Sequence, residues 1–495
     1  MAKAAAGKRT RVLHISPEAV PFCKVGGLGD VAGSLPRALR KTGIDSRLLI
    51  PAWDGVLDSV RDGGKRLRKA SLDVCVSIDW RVHRGVVWSA SLDGLTVHFL
   101  ESPLFQGREI YPDDLDQHTV LPFVFLSQAA LELGEAARWT PDILHCHDWG
   151  TAPLITSLMW HRHYRTRRSE FETVFTIHNL AHQGFLPLHS PRDWGLDEDA
   201  FTVDALEFYG MTNLMKGAIA GASAVTTVSP SYAREIQTDE GGAGLGGLLR
   251  SHGFKVRGIL NGLDGDAWNP ARDPLIPANY SMSNMAGKKK CKRALLERCG
   301  WKDDGRPVFV SVGRMVDQKG FDIFIPAMGD MMDRGCRLFI VGSGQPEYEG
   351  ALRSLSESRP DSISAFIGYD EGIAHLAYAG GDFFLMPSKF EPCGLSQLIS
   401  LLYGTPPVAR SVGGLADTVF EHGSPGGNGF LFFDYSTGAF VTAVDKALRL
   451  FHDDPRGYRA LQRVGMEADY SWDNSAPLYV DMYRSILPGA GDSAD

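Results

Sequence analysis

The sequence predicts an α/β protein made of two doubly wound, Rossmann-like domains that face a cleft. Three observations lead to this prediction. The chain has 495 residues, which is more than one hydrophobic core usually fills. Short β-branched runs alternate with helical patterns in both halves, which is typical of parallel sheets covered by helices. Residues 264–288, rich in Pro, Asn, Asp and Gly, separate the two series and are interpreted as the inter-domain connection.

The first half contains five apolar runs that we predict to be buried strands, at residues 11–16, 46–51, 141–147, 173–178 and 224–229. Residues 121–139 have a helical pattern. Residues 71–102 alternate with period two, which predicts antiparallel hairpins inserted in the first sheet.

The second half contains a similar series of predicted strands, at residues 307–314, 336–344, 362–369, 382–388 and 405–411. A helix is predicted at residues 393–404. We therefore predict an N-terminal Rossmann-like domain at residues 1–265 and a C-terminal one at residues 266–470. Residues 471–495 are predicted to form a final helix and tail that pack back on the first domain.

The composition disfavours several classes of protein. The net charge is −8 without a basic stripe, which argues against a general nucleic-acid binder. The short basic run at residues 287–293 is interpreted as a solvated helix face. Seven cysteines without a CxxC pair disfavour a disulfide framework or a zinc site and favour a reducing compartment. Because no apolar stretch has the length of a signal peptide or membrane span, we expect a cytoplasmic protein without a membrane partner.

A glycine-rich loop, KVGGLGDV at residues 24–31, follows the first predicted strand and precedes a helical run. Backbone N–H groups at a helix N-terminus favour an anion, and Lys24 adds a positive charge. The spacing is not G-x-G-x-x-G, and no acidic residue ends a second strand about 20 residues on, so a nicotinamide cofactor is disfavoured. By itself the loop is equally consistent with a turn requirement and with phosphate binding.

Charged side chains follow two strands of the second half. Arg314 ends one strand and Lys319 comes five residues later, so the two cations could bracket a diphosphate, although solvated surface cations are the commoner case. Glu391 follows another strand and could accept hydrogen bonds from sugar hydroxyls, or be a helix-start carboxylate. Cys393 could be a small buried residue. A second glycine turn, SVGGLADT at residues 411–418, comes after the next strand.

Several segments together resemble one family. In chain order they are KVGGLGDV, PDILHCHDWGTAP, FTIHNLAHQG, VTTVSPSYAREIQT, GILNGLDGDAWNP, GRMVDQKGFD, and FEPCGLSQL with GGLADTV. They span nearly the whole chain, and their order is that of the family. The chain resembles bacterial glycogen synthases and plant starch synthases, which are retaining glycosyltransferases with the two-domain glycosyltransferase-B fold.

The resemblance implies roles for residues of the first domain, which would be the acceptor side. The glycine loop, with Lys24, Gly26 and Gly27, would contact the donor nucleotide-sugar. Asp148 of the HDW motif would lie near the glucose. His178 of the IHN motif would lie beside the reacting sugar, although a histidine at a strand end is more usually a core residue.

In the second domain, the nucleotide-sugar side, Arg314 and Lys319 would neutralise the leaving nucleoside diphosphate. Glu391 would hold the glucose or support positive charge at its anomeric carbon. The donor pocket would also include residues of the two glycine-containing turns, namely Cys393, Gly394, Leu395, Gly413 and Gly414. No metal or other cofactor is expected, and the Asp-x-Asp strings at 114–116, 197–199 and 264–266 are interpreted as loop and helix-cap aspartates.

The implied reaction is transfer of glucose from ADP-glucose to the non-reducing end of glycogen or another α-1,4-glucan, with retention of configuration and release of ADP. Two alternatives stay open: a retaining glucosyltransferase that uses UDP-glucose or a small acceptor, and a non-catalytic glucan-binding protein. Three departures from the family pattern concern local details. Ile399 replaces a second glutamate of related enzymes, His182 stands where tyrosine is common, and residues 116–125 lack an arginine-rich pattern.

Overall fold

The computed structural model describes residues 9–488, and these residues form two compact units. Unit 1 comprises residues 9–228, 233–262 and 472–488. Unit 2 comprises residues 229–232 and 263–471. Each unit is an α/β structure around its own largely parallel sheet, so the predicted fold class is confirmed.

The strands in chain order are β1 (Arg11–Ile15), β2 (Asp45–Pro51), β3 (Arg68–Lys69), β4 (Val74–Ile78), β5 (Arg81–Leu92), β6 (Leu95–Glu101), β7 (Ile143–His147), β8 (Glu172–Ile177), β9 (Phe185–Pro187), β10 (Glu207–Phe208), β11 (Met211–Asn213), β12 (Ala224–Thr227), β13 (Val256–Gly258), β14 (Val308–Val312), β15 (Arg337–Gly342), β16 (Ile363–Ile367), β17 (Phe383–Met386), β18 (Pro407–Arg410) and β19 (Phe430–Phe432).

The helices are α1 (Gly27–Lys41), α2 (Val56–Asp62), α3 (Leu121–Ala136), α4 (Ala152–Trp160), α5 (Leu214–Gly221), α6 (Pro230–Glu235), α7 (Gly246–Ser251), α8 (Ala286–Arg298), α9 (Phe321–Asp333), α10 (Pro346–Ser358), α11 (Glu371–Gly380), α12 (Ser396–Leu402), α13 (Gly413–Thr418), α14 (Thr437–Asp453), α15 (Pro455–Glu467) and α16 (Trp472–Ile486). None of the helices between residues 9 and 488 is both long enough and apolar enough to cross a membrane.

The main sheet of unit 1 has the strand order β13-β12-β8-β7-β1-β2-β6-β5-β3, and β4 also pairs with β5. The strands from β13 to β6 run parallel, whereas β5 is antiparallel to β6, β3 and β4. All five predicted strands of the first half are present, and so are the hairpins predicted at residues 71–102. The small sheet β10-β11-β9 was not predicted, because its strands have only two or three residues each.

The sheet of unit 2 is entirely parallel, with the order β16-β15-β14-β17-β18-β19. Counted within the unit, this is the order 3-2-1-4-5-6 of a doubly wound fold. Side chains of β14 alternate between two cores: Phe309 packs with α9 and α14 on one face, and Val308 and Val310 pack with α8 and α11 on the other. Burial on both faces explains why the strand is a continuous apolar run.

Helix α16 packs in unit 1, although it is the last element of the described chain. Its apolar face shares a core with α1, and the indole N–H of Trp472 donates to the hydroxyl of Ser34 at 2.8 Å. Farther along the helix, Tyr483 is fully buried in the same core. The helix therefore covers one face of the unit 1 sheet.

Two interpretations of the sequence are wrong. Residues 264–288 lie wholly in unit 2, where Ile276 and Tyr280 are buried in its core, so the segment is not a connection. The basic run at residues 287–293 is only partly solvated, because Lys288 is buried. Its ammonium donates to three oxygens, the carbonyls of Ala379 (3.1 Å) and Tyr403 (2.9 Å) and the hydroxyl of Thr405 (2.7 Å).

Candidate functional site

The predicted site residues lie at the carboxyl ends of central strands. In unit 1 the strand order reverses at β1, whose neighbours are β7 and β2, and in unit 2 it reverses at β14, beside β17. Lys24 comes after β1, Asp148 directly after β7, Arg314 soon after β14 and Glu391 after β17. Doubly wound sheets bind their ligands at such reversal points. Each unit therefore presents polar groups where this architecture places a ligand.

The glycine loop of unit 1 wraps around the carboxylate of Glu18, a residue that the sequence analysis does not predict. Glu18 is buried, and one of its oxygens accepts hydrogen bonds from the backbone N–H groups of Val25 (2.5 Å) and Gly26 (3.0 Å). The hydroxyl of Tyr111 donates to the other oxygen at 3.2 Å. Burial raises the pKa of Glu18, while these hydrogen bonds act in the opposite direction. The Glu18 carboxylate thus accepts the hydrogen bonds of two amides at the start of the loop.

The remaining groups of the loop face the start of α1. Gly26 is the extended N-cap residue, and α1 begins at Gly27. In the described part of the chain, the backbone N–H groups of Gly27 and Leu28 have no hydrogen-bond partner. The ammonium of Lys24 lies 2.8 Å from the carboxylate of Asp30, and both side chains are partly exposed. An anion at this loop would therefore meet two amides and a lysine that is already paired.

Asp148 holds together the ends of two neighbouring strands. It has φ 56° and ψ −178°, a backbone conformation that residues other than glycine rarely adopt. Its carboxylate accepts hydrogen bonds from the backbone N–H groups of His178 (2.7 Å) and Asn179. Burial raises the pKa of Asp148 to about 8 in spite of these bonds, and the nearby charge of Glu18 adds to the effect. Asp148 thus fixes the turn that carries His178.

His178 is a half-buried, neutral imidazole. Its Nε2 atom lies 3.0 Å from Nδ1 of His147, which is fully buried on β7. Burial lowers the pKa of His178 to about 3. The structure therefore brings His178 and Asp148 together at one edge of the unit 1 sheet, as their positions after β8 and β7 predict.

Unit 2 contains a pocket at the reversal point of its sheet. The pocket is lined by Ser311, Val312, Gly313, Arg314, Lys319, Phe321, Leu385, Met386, Ser388 and Ser396. Arg314 is exposed, and its guanidinium has no hydrogen-bond or ion-pair partner among residues 9–488. This leaves a cation at the pocket wall that no side chain in the described part of the chain neutralises.

Lys319, which lines this pocket, forms an ion pair with Glu391. The Lys319 ammonium lies 2.6 Å from a Glu391 carboxylate oxygen, which also accepts a hydrogen bond from the hydroxyl of Ser388 at 3.1 Å. Gly320 makes the pairing possible, because it has φ 76° and a Cβ there would lie 2.0 Å from the carbonyl oxygen of Pro387. The loop after β14 can thus pack directly on the loop after β17. The pair carries no net charge, so Arg314 supplies the excess positive charge of the pocket.

The segment that follows Glu391 is shaped by close backbone packing. Cys393 is buried, as the simpler of its two interpretations predicts, and Leu395 is half-buried against the unit 2 core. A Cβ on Gly414 would lie 2.1 Å from the carbonyl oxygen of Cys393, so this position must lack a side chain for the turn to reach the segment. Gly413 has φ 45°, which also favours glycine. The backbone N–H of Gly414 donates to the carbonyl of Glu391 at 3.0 Å. The second glycine turn therefore positions the glutamate loop.

A buried glutamine supports the same loop and was missed in the sequence. The amide nitrogen of Gln397, on α12, donates to the carbonyls of Cys393 (3.0 Å) and Gly394 (2.8 Å). Gly394 has φ 71°, which favours glycine. The departure Ile399 lies in the apolar core of unit 2, whereas His182 is exposed in unit 1.

The Asp-x-Asp strings have ordinary structural partners. Asp116 accepts hydrogen bonds from the backbone N–H groups of His118 and Thr119, as in a loop aspartate. Asp197 forms ion pairs with two arginines, and Asp264 accepts a hydrogen bond from the N–H of Asp266. These contacts account for the aspartates as loop and turn residues.

Glu18 and His147, which were not predicted as site residues, could have been found from their positions in the sequence. Glu18 follows β1 by three residues, and His147 ends β7, so both lie at carboxyl ends of central strands. The rule that selected Lys24 and Asp148 applies to them equally. Tyr111 lacks such a signal, because it lies in a loop that only the folded chain brings to Glu18.

The sequence matches two family descriptions. Residues 11–251 match the family described as "Starch synthase catalytic domain", and residues 306–449 match "Glycosyl transferases group 1". The first match covers the carboxyl ends of β1, β7 and β8 in unit 1, and the second covers the unit 2 pocket together with Glu391.

Curated relatives and solved structures cover almost the whole chain. The chain is 42% identical to a glycogen synthase of Anaeromyxobacter sp. (strain Fw109-5), over 96% of this chain and 99% of the relative. It is 40% identical to a glycogen synthase of Myxococcus xanthus, over 96% and 99% of the two chains.

Its structure is similar to the catalytic domain of starch synthase IV from Arabidopsis thaliana bound to ADP and acarbose, with a TM-score of 0.90, 33% identity and coverage of 97% and 100%. A sucrose-phosphate synthase from Thermosynechococcus elongatus shares the fold at a TM-score of 0.61, 18% identity and coverage of 97% and 99%. The chain therefore belongs to the glycogen and starch synthase family of glycosyltransferases, which have the glycosyltransferase-B fold.

Proposed function

We propose that the chain transfers glucose from ADP-glucose to the non-reducing end of an α-1,4-glucan such as glycogen, with retention of configuration and release of ADP. The observation that carries the proposal is the guanidinium of Arg314, which has no partner among residues 9–488 and lies in a pocket that Lys319 also lines. A guanidinium binds two phosphate oxygens at once, and an ammonium adds a compact charge. Together they suit a leaving nucleoside diphosphate.

The charges of the unit 2 pocket suit the chemistry of the bond that breaks. Negative charge develops on the diphosphate as the glycosidic bond lengthens, and preorganised cations lower the barrier by stabilising it. Glu391 is the counterpart: its carboxylate, held by Lys319 and Ser388, favours positive charge at the anomeric carbon. We assign Cys393, Gly394, Leu395, Gly413 and Gly414 to the wall that positions this carboxylate and the donor.

We assign the contacts with the sugar and the acceptor to unit 1. Asp148 and His178 are the groups for the transferred glucose, and the loop with Lys24, Gly26 and Gly27 contributes to donor binding. Because Glu18 already occupies the Gly26 amide, the donor contact of this loop would come from Gly27, Leu28 and the Lys24 ammonium. The acceptor hydroxyl attacks the face that the diphosphate leaves, with a phosphate oxygen taking its proton.

One comparison of substrates and variants tests the proposal. Purified chain is incubated with radiolabelled ADP-glucose or UDP-glucose, and with glycogen or free glucose as acceptor. We expect rapid incorporation from ADP-glucose into glycogen and release of ADP. Arg314→Ala should lower kcat by at least about 100-fold. The matched control is Arg353→Ala, which should keep its turnover. Arg353 is an exposed arginine of α10 whose one ion-pair partner in the described structure is Glu349.

The alternatives give different results in the same assay. Faster transfer from UDP-glucose would contradict the proposed donor, and faster transfer to free glucose would contradict the proposed acceptor. Tight glycogen binding without turnover of either donor would favour a non-catalytic glucan-binding protein. We also propose a cytoplasmic location, which the seven free cysteines support.

A further inference from the structure

Three buried histidines of unit 1 form a cluster that contacts His178 through His147. His14 lies on β1, and His145 and His147 lie on the adjacent strand β7. All three are fully buried, and the proposed reaction uses none of them. A buried imidazole is costly unless its ring nitrogens have hydrogen-bond partners, so the arrangement requires an explanation.

A metal centre does not explain it. One ring nitrogen from each of His14, His145 and His147 lies within 4.8 Å of the others. However, both nitrogens of His145 are hydrogen-bonded, to the hydroxyls of Tyr483 (2.7 Å) and Thr176 (2.6 Å). The rings of His145 and His147 also stack, with their centroids 4.4 Å apart. Lone pairs of imidazole lie in the ring plane, so stacked rings do not converge on one ion.

Hydrogen bonds instead connect His14 to His147 and His147 to His178. Nδ1 of His14 lies 3.2 Å from Nε2 of His147, and Nδ1 of His147 lies 3.0 Å from Nε2 of His178. Burial lowers the pKa of His14, His147 and His178, to about 3 for His14 and His178. Each of these rings is therefore neutral and carries one N–H. Three such rings in series allow only two arrangements of their protons.

The far end of the chain selects between these arrangements. Nε2 of His14 is sealed from solvent and has no hydrogen-bond partner among the described residues. If the bonds ran from His178 towards His14, this atom would be an unpaired buried N–H. If they run from His14 towards His178, it is an unpaired lone pair, which buried sites tolerate more often. The second arrangement is therefore the stable one.

We propose that His14 and His147 fix His178 in the tautomer with its proton on Nδ1, so that His178 presents a permanent hydrogen-bond donor and never a base. His14 and His147 are positioning residues. Nδ1 of His178 has no partner in the described part of the chain and is not among the sealed unpaired atoms, so it is open to a ligand. Its partner would be an acceptor oxygen of the transferred sugar, a point that rests on the proposed function.

The tautomer can be measured without any reaction. Full-length chain with ¹⁵N-labelled histidine rings is studied by long-range ¹H–¹⁵N correlation at neutral pH, and His178 is assigned with His178→Gln. We expect a protonated Nδ1 and an unprotonated Nε2 at His178. A protonated Nε2 in the wild-type chain overturns the proposal, and this measurement requires no variant of the relay to fold.

Two matched variants test the relay itself. His14→Phe removes the first donor and should give His178 a mixture of tautomers, with kcat lowered about tenfold and a smaller change in KM. His98→Phe removes another buried histidine of unit 1 and should change neither property. Within residues 9–488 its one side-chain partner is Ser89, and its Nε2 is also sealed. An unchanged His178 spectrum in folded His14→Phe would refute the relay. A correct tautomer in a chain that transfers no glucose would instead refute only the proposed function.

Discussion

The ammonium of Lys319 lies 2.6 Å from the carboxylate of Glu391, 72 positions later in the chain. The carboxylate side chain is only 5% exposed and the lysine side chain 25%, so the pair is largely shielded from water. Lys319 also lines the pocket that we assign to the diphosphate. One lysine therefore holds the buried glutamate and supplies charge to the leaving group, which couples the two halves of the chemistry in unit 2.

The coupling predicts strongly non-additive effects. Lys319→Met and Glu391→Gln should each lower kcat by at least about 100-fold, and the double variant should be little worse than either, because the two groups act as a unit. Steady-state kinetics of the four proteins tests this. Independent losses that multiply in the double variant would contradict the coupling.

The stabilities of the same variants are a separate test of this coupling. Lys319→Met leaves the buried Glu391 carboxylate with Ser388 as its one remaining side-chain partner in the described chain. It should lower the free energy of unfolding by about 1–3 kcal/mol. Adding Glu391→Gln should recover most of this loss, because the uncompensated charge is gone. Urea unfolding of each full chain, with matched far-UV spectra as the folding control, gives the comparison.

The relationship of Lys319 and Glu391 shows what sequence reasoning can reach. Both residues were selected because they follow parallel strands, and the carboxyl ends of such strands gather at one edge of a sheet. The burial of Lys288, in contrast, could not be predicted from its position in the sequence. Its three acceptor oxygens belong to residues 91 to 117 positions away, and no local pattern reveals a carbonyl left free by the end of α11.

Glu18 marks a second limit of the sequence. The amides of Val25 and Gly26 look available to an anion when only the loop is considered, and the structure gives them to a carboxylate of the preceding segment. Glycine patterns predict where backbone must come close to something. They do not tell whether the neighbour is a ligand or another part of the chain.

The backbone of Asp148 predicts an unusual order of stabilities. At φ 56° and ψ −178°, a side chain costs about 1–3 kcal/mol that glycine does not incur. Asp148→Ala and Asp148→Gly lose the same carboxylate, so Asp148→Gly should be the more stable of the two by about 1–2 kcal/mol. Glycine normally destabilises a chain relative to alanine, and a result in that usual direction would show that the backbone is unstrained.

The Asp148 carboxyl also predicts a pH dependence. Its pKa is raised from 3.8 to about 8 in the folded chain, chiefly by burial. A raised pKa contributes stability that is complete below pH 4 and is lost as the pH rises through 8. Asp148→Asn mimics the protonated form at every pH, so its stability relative to wild type should rise between pH 5 and pH 8, by at most about 1.4 kcal/mol per pH unit. Thermal unfolding of both proteins across this range measures the difference, and a flat difference would show that the carboxyl is ionised throughout.

The contacts of Glu18 separate a structural from an electrostatic role for the carboxylate under the glycine loop. One oxygen accepts both loop hydrogen bonds, so Glu18→Gln can keep them with its amide oxygen and lose only the charge. Glu18→Ala removes the acceptor of the Val25 and Gly26 N–H groups, so the loop loses its support. We expect Glu18→Ala to raise KM for the nucleotide-sugar about tenfold or more, and Glu18→Gln to leave it within about threefold of wild type. If Glu18→Gln were as impaired as Glu18→Ala, the negative charge itself would be required, and the carboxylate would belong to the reacting groups rather than to the support of the loop.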